Sequence, residues 1–304
     1  MRRQSGTPPR QPFRIQCGGS DQEAPRSSSS TSDFAALRTA VVAEAARPSY
    51  QSGHLPSSLL KHCYREIGAG GFTRLDNQLL FFQRVRSLVL PTSIVLDFGA
   101  GRGVWAESLP PGSYKARSMR LTNDVKLVLG CDIDPVVLNN PWLDAAILME
   151  GNSGIPLPDA SVDVIVSTSV FEHLATPESI AAELDRVLRP GGWICALTPS
   201  RYGYLSVGAS LLPDTWHERI LNVLQPFRQT ADVFPTFYRL NSRRQLRRVF
   251  PAQRWTDYSY HWSGPPGYHA GRPAIAWFLH GLDRLLPAPL QRYMHIFLHK
   301  EPAR

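Results

Sequence analysis

The chain has 304 residues, 43 % of them hydrophobic, which allows one large core or a core with a small added lobe. It contains no run of 18 apolar residues and no paired cysteines, which argues against a membrane-spanning helix, a disulfide framework and a metal site of the zinc type. Basic residues outnumber acidic ones by 12 to 6 over residues 1–90 and by 14 to 6 over 201–304, whereas acids lead by 13 to 7 over 91–200. The basic ends are therefore expected to meet any anionic partner.

No apolar segment follows Arg2 and Arg3, which argues against a secretory signal. Four arginines without an acid among the first twenty residues leave an organellar transit peptide open as an alternative, although the stretch lacks an amphipathic period. Scattered cysteines suit a reducing compartment, so we expect a cytoplasmic protein.

Residues 1–33 are rich in Pro, Ser, Gly and Gln, a composition that predicts a disordered tail. Helical spacing of apolar residues follows at Phe34–Ala46 and again within residues 51–90. We interpret residues 34–90 as an N-terminal helical cover.

Residues 91–200 alternate between short apolar runs and polar, helix-like segments. Pro190-Gly191-Gly192 predicts a turn, and Ser179–Leu188 predicts a helix. Nearly all-apolar strands separated by helices indicate an α/β fold, with a doubly wound and mostly parallel sheet. The predicted strands are Ser93–Phe98, Lys126–Cys131, Asp144–Met149, Val162–Ser167 and Trp193–Thr198.

Residues 201–304 are interpreted as a substrate-binding lobe with closing strands. Arg254–Tyr260 and Tyr293–His299 are predicted to pair, and residues 275–286 have the apolar face of an amphipathic helix. This helix is expected to pack against the sheet, with a position on a lipid interface as the alternative.

The string VLDFGAGRG at residues 95–103 is the most informative motif. A dinucleotide fingerprint requires G-x-G-x-x-G, but Val104 stands where its third glycine belongs. The acid followed by alternating glycines resembles motif I of the class I S-adenosylmethionine-dependent methyltransferases. Glycines let the backbone approach a ligand closely, and Asp97 supplies negative charge for its ammonium and sulfonium groups.

Two later segments extend the resemblance over about residues 93–200. GCDIDP places Asp132 where the family has an acid that accepts both ribose hydroxyls, with Asp134 as the competing acid. The stretch from Gly151 to Leu174 and RVLRPGGWICALTPS resemble the small-molecule branch of the family. The resemblance implies a seven-stranded Rossmann-like sheet, S-adenosylmethionine as cofactor, and cofactor contacts from Asp97, Gly99, Ala100, Gly101, Gly103, Asp132, Ile133, Asn152, Ser153 and Ser169.

The resemblance requires no catalytic residue, because the cofactor carries the leaving group. His173 is a candidate base for an acceptor hydroxyl, although Glu172 and His173 more simply tie down the loop after the fourth strand. Arginines and tyrosines after residue 200 suit an anionic, glycan or lipid-linked acceptor. The candidate acceptor-binding residues are Arg201, Tyr202, Tyr204, Tyr238 and Arg239.

Three functions remain open at this point. The favoured one is methyl transfer to a small-molecule or lipid-linked acceptor, with peripheral membrane contact as an accompanying expectation. An RNA methyltransferase is the second, since Arg243, Arg244, Arg247 and Arg248 form a basic helix stripe, although no known RNA-binding module is present. A non-catalytic interaction protein is the third, and the intact glycines argue against it.

Overall fold

The computed structural model describes residues 13–15, 63–103, 109, 113–150, 154–204, 206, 234–265 and 272–302. The predicted helix at residues 34–46 lies outside the described residues. The strands are β1 (Phe13–Ile15), β2 (Ile94–Phe98), β3 (Leu127–Asp132), β4 (Ala145–Leu148), β5 (Val162–Thr168), β6 (Leu188–Pro199), β7 (Trp255–Asp257), β8 (Tyr260–Trp262) and β9 (Tyr293–Lys300). The helices are α1 (Asn77–Leu88), α2 (Tyr114–Met119), α3 (Pro177–Val187), α4 (Arg243–Val249) and α5 (Pro273–Leu285).

The strands form one sheet in the order β1-β4-β3-β2-β5-β6-β9-β7, with β8 pairing β9. Strands β1 to β6 are parallel to their neighbours, and β9 runs antiparallel to β6, β7 and β8. The chain moves outward from β2 through β3 to β4, then returns to place β5 on the other side of β2. This reversal is the switch point at which open α/β sheets bind ligands, beyond the carboxyl ends of the strands.

Both faces of the sheet are covered, as the near-continuous apolar strands predict. Leu96 and Phe98 of β2 pack with α3 and α4 through Leu184 and Leu246. Val95 packs on the opposite face, with the aromatic residues of α1. Each large apolar side chain buried in this way contributes about 1.5–3 kcal/mol.

The doubly wound, mostly parallel α/β sheet is confirmed, but the described residues contain nine strands rather than seven. The pairing of β7 with β9, from Trp255↔Lys300 to Asp257↔Leu298, agrees with the predicted closing couple. The short strand β8 adds beside it. Residues 13–15 also form an edge strand on β4 inside the segment predicted to be disordered. An exposed sheet edge offers unpaired backbone groups that a short segment of almost any composition can satisfy.

Two local boundaries also differ from the sequence-based expectation. In the described part of residues 51–90, a 3-10 turn at Arg65–Gly68 precedes α1, because Gly70 and Gly71 adopt φ of 102° and 84° and interrupt the helical pattern. Strand β6 begins at Leu188, before the predicted turn, and its register with β5 shifts between Val162 and Val164. The Pro-Gly-Gly segment is therefore an irregularity within the strand rather than its start.

Candidate functional site

A glycine-rich turn follows β2 at the switch point of the sheet. Gly99, Gly101 and Gly103 have φ of 74°, 51° and 72°, a region that strongly favours glycine. A Cβ on Gly99 would collide with Val170, and one on Gly103 would lie 2.5 Å from Trp142. A Cβ on Gly101 would meet no atom within 4 Å. The turn is therefore packed at both ends and bare at its centre.

Asn140 locks this turn and was missed by the sequence analysis. Its side chain is 1 % exposed, and its Nδ2 donates to the carbonyl oxygens of Ala100 and Gly101 at 3.0 and 3.2 Å. Its Oδ1 accepts from the Trp142 backbone N–H at 2.9 Å. An asparagine before a proline indicates only a local turn, so its contact with a loop 40 residues earlier has no signal in the sequence.

Asp132 is the last residue of β3 and contacts the centre of the glycine turn. Its Oδ2 accepts from the Gly101 N–H at 2.8 Å, and its Oδ1 accepts from the Asp134 N–H at 2.9 Å. Burial raises the pKa of Asp132, while these two hydrogen bonds oppose the shift. Asp134 instead accepts from Val136 N–H and caps the following 3-10 turn. The geometry favours Asp132 over Asp134 as the acid that faces a ligand.

Asp97 occupies the penultimate position of β2, between Gly130 of β3 and Val166 of β5. Its side chain is half-buried, and the described residues offer its carboxylate no hydrogen-bond donor. Burial, and secondarily the charge of Asp132, raises the pKa of Asp97 to about 7. Such a carboxylate is costly to ionise until a cation lies beside it.

A cavity of about 330 Å³ lies at the carboxyl ends of β5 and β6. Ser169, which has φ of 58°, lines the cavity directly before Val170, the residue that packs over Gly99. The cavity therefore lies beyond the carboxyl ends of β5 and β6, under the amino end of α1. Its lining residues are Asp76, Asn77, Gln78, Lys115, Ser169, Leu197, Thr198, Pro199, Gly264, Pro265 and Tyr293.

Comparison with known proteins bears directly on this arrangement. Residues 96–196 match the methyltransferase domain family model, which spans the glycine turn, Asp132 and strands β2 to β6. Residues 96–196 therefore belong to a methyltransferase domain.

Curated relatives agree with this identification. A probable S-adenosylmethionine-dependent methyltransferase of Mycolicibacterium smegmatis is 35 % identical over 138 residues, 43 % of this chain and 47 % of that protein. A ubiquinone biosynthesis O-methyltransferase of Paraburkholderia phymatum is 26 % identical over 145 residues, 41 % of this chain and 55 % of that protein. The chain thus spans about half the length of these relatives. The putative methyltransferase in a complex with the Haloferax volcanii Trm112 activator is 17 % identical, with a TM-score of 0.49 over 83 % of this chain and 98 % of that one.

The residues of the methyltransferase domain fit its cofactor, S-adenosylmethionine. Bare backbone at Gly101 permits close approach of the ligand, Asp97 matches an ammonium group, and Asp132 retains free lone pairs for a ribose diol. Ile133 is 56 % exposed beside Asp132 and offers an apolar surface to a planar base. Asn152 and Ser153 lie outside the described residues, and these individual assignments stay predictions.

Glu172 and His173 follow β5 in the methyltransferase domain, where they anchor the segment that leads to α4. Glu172 is 4 % exposed, and its Oε2 accepts from Thr198 Oγ1 at 2.7 Å. Its backbone oxygen accepts from the N–H groups of Phe237 and Tyr238. His173 Nδ1 lies 2.8 Å from the Pro235 carbonyl oxygen, and His173 does not line the cavity. These contacts fit the interpretation that the pair ties down the loop.

The five candidate acceptor-binding residues lie around the cavity but do not line it. Arg201 donates to the Tyr238 carbonyl oxygen, and Arg239 donates to the Ala175 carbonyl oxygen. These contacts tie the segment at residues 238–239 both to the loop after β6 and to the loop before α3. Tyr202 is 48 % exposed. Tyr204 faces the buried Arg292 and Asp283, and burial raises its pKa. Their contact with an acceptor stays a prediction.

Proposed function

We propose that this chain transfers the methyl group of S-adenosylmethionine to a small-molecule acceptor held in the cavity beside Ser169. The observation that carries the proposal is the bare centre of the glycine turn beside Asp97 and Asp132, with the cavity reached through Ser169, the neighbour of the residue that packs over Gly99. A volume of 330 Å³ falls in the range of small-ligand sites.

The residues of the site bind and orient rather than react. When bound, the cofactor would supply a methyl group on a cationic sulfur that keeps the electron pair of the broken bond, and the acceptor would supply the attacking lone pair and release its proton to water. Asp97 and Asp132 hold the two ends of the cofactor, and Asn140 keeps the turn between them in shape. Val170 packs against Gly99 at the start of the turn. This contact limits where the cofactor can lie relative to Ser169 and the cavity.

An RNA acceptor is the second candidate, supported by the basic stripe of α4. Two of its arginines have protein partners: Arg243 donates to the Ser259 carbonyl oxygen, and Arg248 pairs with Glu178 at 3.4 Å. Arg244 and Arg247 remain available for phosphate groups. Steep loss of RNA affinity with added salt would favour this candidate over the small-molecule one.

Titration calorimetry with S-adenosylmethionine and S-adenosylhomocysteine, followed by turnover on metabolite and RNA panels, tests the proposal. We expect binding of both compounds and product formation with a small molecule. Absence of binding would contradict both enzymatic functions. Binding without product on any acceptor would favour the non-catalytic protein.

Gly101→Ala and Gly191→Ala form a matched pair for the glycine turn. Both glycines have positive φ, 51° and 79°, and neither Cβ would meet an atom within 4 Å. Each alanine is expected to cost about 1–2 kcal/mol of folding free energy from the left-handed backbone. Only Gly101→Ala should weaken S-adenosylhomocysteine binding, by about tenfold or more, because Gly191 lies at the opposite end of the sheet. Equal affinities in the two variants would contradict a ligand lying on Gly101.

Helix α5 directs its polar residues toward the protein. His280 Nδ1 lies 2.6 Å from the Tyr64 hydroxyl oxygen, and Asp283 pairs with Arg292 at 2.9 Å. Arg292 is 2 % exposed. A buried charge of this kind is tolerated because it is paired. The helix therefore packs against the protein through these polar contacts and through Ala276, which is 2 % exposed, and its predicted packing on the sheet stays a prediction.

Several large apolar residues of α5 are exposed. Trp277, Phe278 and Leu285 are 51, 69 and 84 % exposed, and Arg272 and Arg284 flank them with exposed side chains. We propose that these residues rest on an anionic lipid surface, because aromatic residues bordered by arginines suit the membrane interface. Among the described helices, none has the length and apolar character to cross a bilayer. The cytoplasmic location expected from the cysteines stays a prediction.

Vesicle flotation tests the lipid contact. The wild type should float with phosphatidylserine-containing vesicles and less with pure phosphatidylcholine. The double variant Trp277→Ser, Phe278→Ser should lose about tenfold or more of the binding, whereas Tyr258→Ser, which removes an aromatic side chain 58 % exposed outside the helix, should not. Equal binding by the double variant and the wild type would overturn the proposal.

A further inference from the structure

A chain of hydrogen bonds runs from the surface to the cavity. Arg84 Nε lies 2.9 Å from the Tyr260 hydroxyl oxygen. That hydroxyl lies 2.9 Å from His295 Nδ1, and His295 Nε2 lies 2.6 Å from Asn77 Oδ1. The chain joins α1, β8 and β9, and it ends at a residue that lines the cavity.

The direction of these hydrogen bonds follows from the groups at the two ends of the chain. A guanidinium can only donate and an amide oxygen can only accept, so Tyr260 accepts from Arg84, His295 Nε2 faces Asn77 Oδ1 with a proton, and Nδ1 of the neutral ring accepts the Tyr260 hydrogen. The proton of the neutral imidazole then lies on Nε2 and is donated to Asn77. Burial and the charge of Arg84 lower the pKa of His295 to about 3, which keeps the ring neutral.

Asn77 is consequently fixed in one orientation. Its Oδ1 accepts from His295, and among the described residues its Nδ2 has no acceptor. The side chain is 9 % exposed at the cavity wall, and a Cβ on Gly264 would lie 3.0 Å from its Cβ atom, which leaves little room for Asn77 to move. Asp76 holds the backbone in place by capping Leu79 N–H at 2.9 Å. A rigid N–H₂ donor thus faces the acceptor cavity.

We infer that Asn77 is a specificity-determining residue that donates a hydrogen bond to an oxygen of the methyl acceptor, with Tyr260 and His295 as its positioning residues. The inference rests on the proposed function, since it assigns the cavity to the acceptor. Lys115 lines the same cavity with an ammonium group paired to Asp76 at 2.8 Å. Asp76 lines the cavity as well, so its pair with Lys115 adds no net charge, and the amide donor of Asn77 selects an acceptor with a carboxylate or phosphate over one with an amine.

The tautomer of His295 tests the positioning part without any turnover. Long-range ¹H–¹⁵N correlation spectra of the wild type should show a protonated Nε2 and an unprotonated Nδ1. Tyr260→Phe, which removes the hydroxyl, should produce a mixture of tautomers while S-adenosylhomocysteine binding persists. A wild type protonated at Nδ1 would overturn the inference, because Asn77 would then donate to Nε2 and present its oxygen to the cavity.

The specificity part is tested with 4-hydroxybenzoate and 4-hydroxybenzylamine as probes, titrated into the complex with S-adenosylhomocysteine. The wild type should prefer the carboxylate. Asn77→Asp keeps an oxygen for His295 but replaces the N–H₂ donor with a second carboxylate oxygen. It should change the ratio of the affinities for the two probes by about tenfold or more, in favour of the amine. Gln78→Glu places the same added charge at the next position of the cavity wall and should change the ratio less.

The outcomes separate the inference from the proposed function. An unchanged probe preference in Asn77→Asp, or an equal change in Gln78→Glu, would overturn the role of Asn77 even if methyl transfer is established. Failure of S-adenosylhomocysteine to bind the wild type would overturn the proposed function, while the tautomer of His295 would still report on the hydrogen-bond chain.

Discussion

Asp132→Ala is expected to weaken binding of S-adenosylmethionine and S-adenosylhomocysteine by about 100-fold or more, because charge-assisted hydrogen bonds to a carboxylate are worth about 1.5–3 kcal/mol each. The variant removes both the partner of a ribose diol and the acceptor of the Gly101 N–H, which lies 2.8 Å from Oδ2. The turn that carries Gly101 loses its support on the ligand side. Titration calorimetry at constant pH and salt measures the change.

Asp134→Ala is the matched control for this prediction. Asp134 lies two residues later and accepts from Val136 N–H at 2.9 Å. Its loss should cost about 1 kcal/mol of folding free energy as a missing cap and leave cofactor affinity nearly unchanged. If Asp134→Ala abolishes binding and Asp132→Ala does not, the two acids have been assigned the wrong way round.

Asp97→Asn is expected to stabilise the ligand-free protein while it weakens cofactor binding. The folded-state pKa of Asp97 is raised to about 7 from an ordinary value of 3.8, so ionisation opposes folding. The penalty begins above pH 3.8, grows until about pH 7 and is constant beyond it. With allowance for partial solvent screening, the asparagine should add about 2 kcal/mol at pH 8 and less at pH 5.

Urea unfolding at pH 5 and pH 8 measures this difference, and calorimetry measures its counterpart in binding. Wild-type affinity for S-adenosylmethionine should rise from pH 6 to pH 8, because the ammonium group prefers the ionised Asp97. Asp97→Asn should bind about tenfold more weakly at pH 8 and lose this pH dependence. A variant less stable than the wild type at pH 8 would show that Asp97 is stabilised by a partner in the ligand-free protein.

Together these predictions describe a site that is strained in the ligand-free protein and is stabilised when the cofactor binds. Asp97 carries a charge that the ligand-free fold opposes, and no atom packs on the side of Gly101 where a Cβ would lie. Both features lower the stability of the ligand-free protein and are relieved by a cation that lies on the bare backbone.

The glycine turn and the acids beside it could be predicted from the sequence because their signals are local. Apolar runs that end in glycine or aspartate indicate the strands, and they place the acids at the carboxyl ends of those strands. The contacts of Asn140 with Ala100, and of His295 with Asn77, join residues 40 and 218 positions apart. Polar residues in irregular or mixed segments have no periodicity that predicts such contacts.

Short-range spacing was enough to predict the α/β class, the methyltransferase motif and the two acids beside the glycine turn. Only the tertiary structure decided which asparagine fixes the turn, which amide faces the cavity, and that α5 directs its polar residues inward. Those outcomes depend on buried donors and acceptors finding partners across the fold, because an unpaired polar group in the interior costs more than an exposed apolar one.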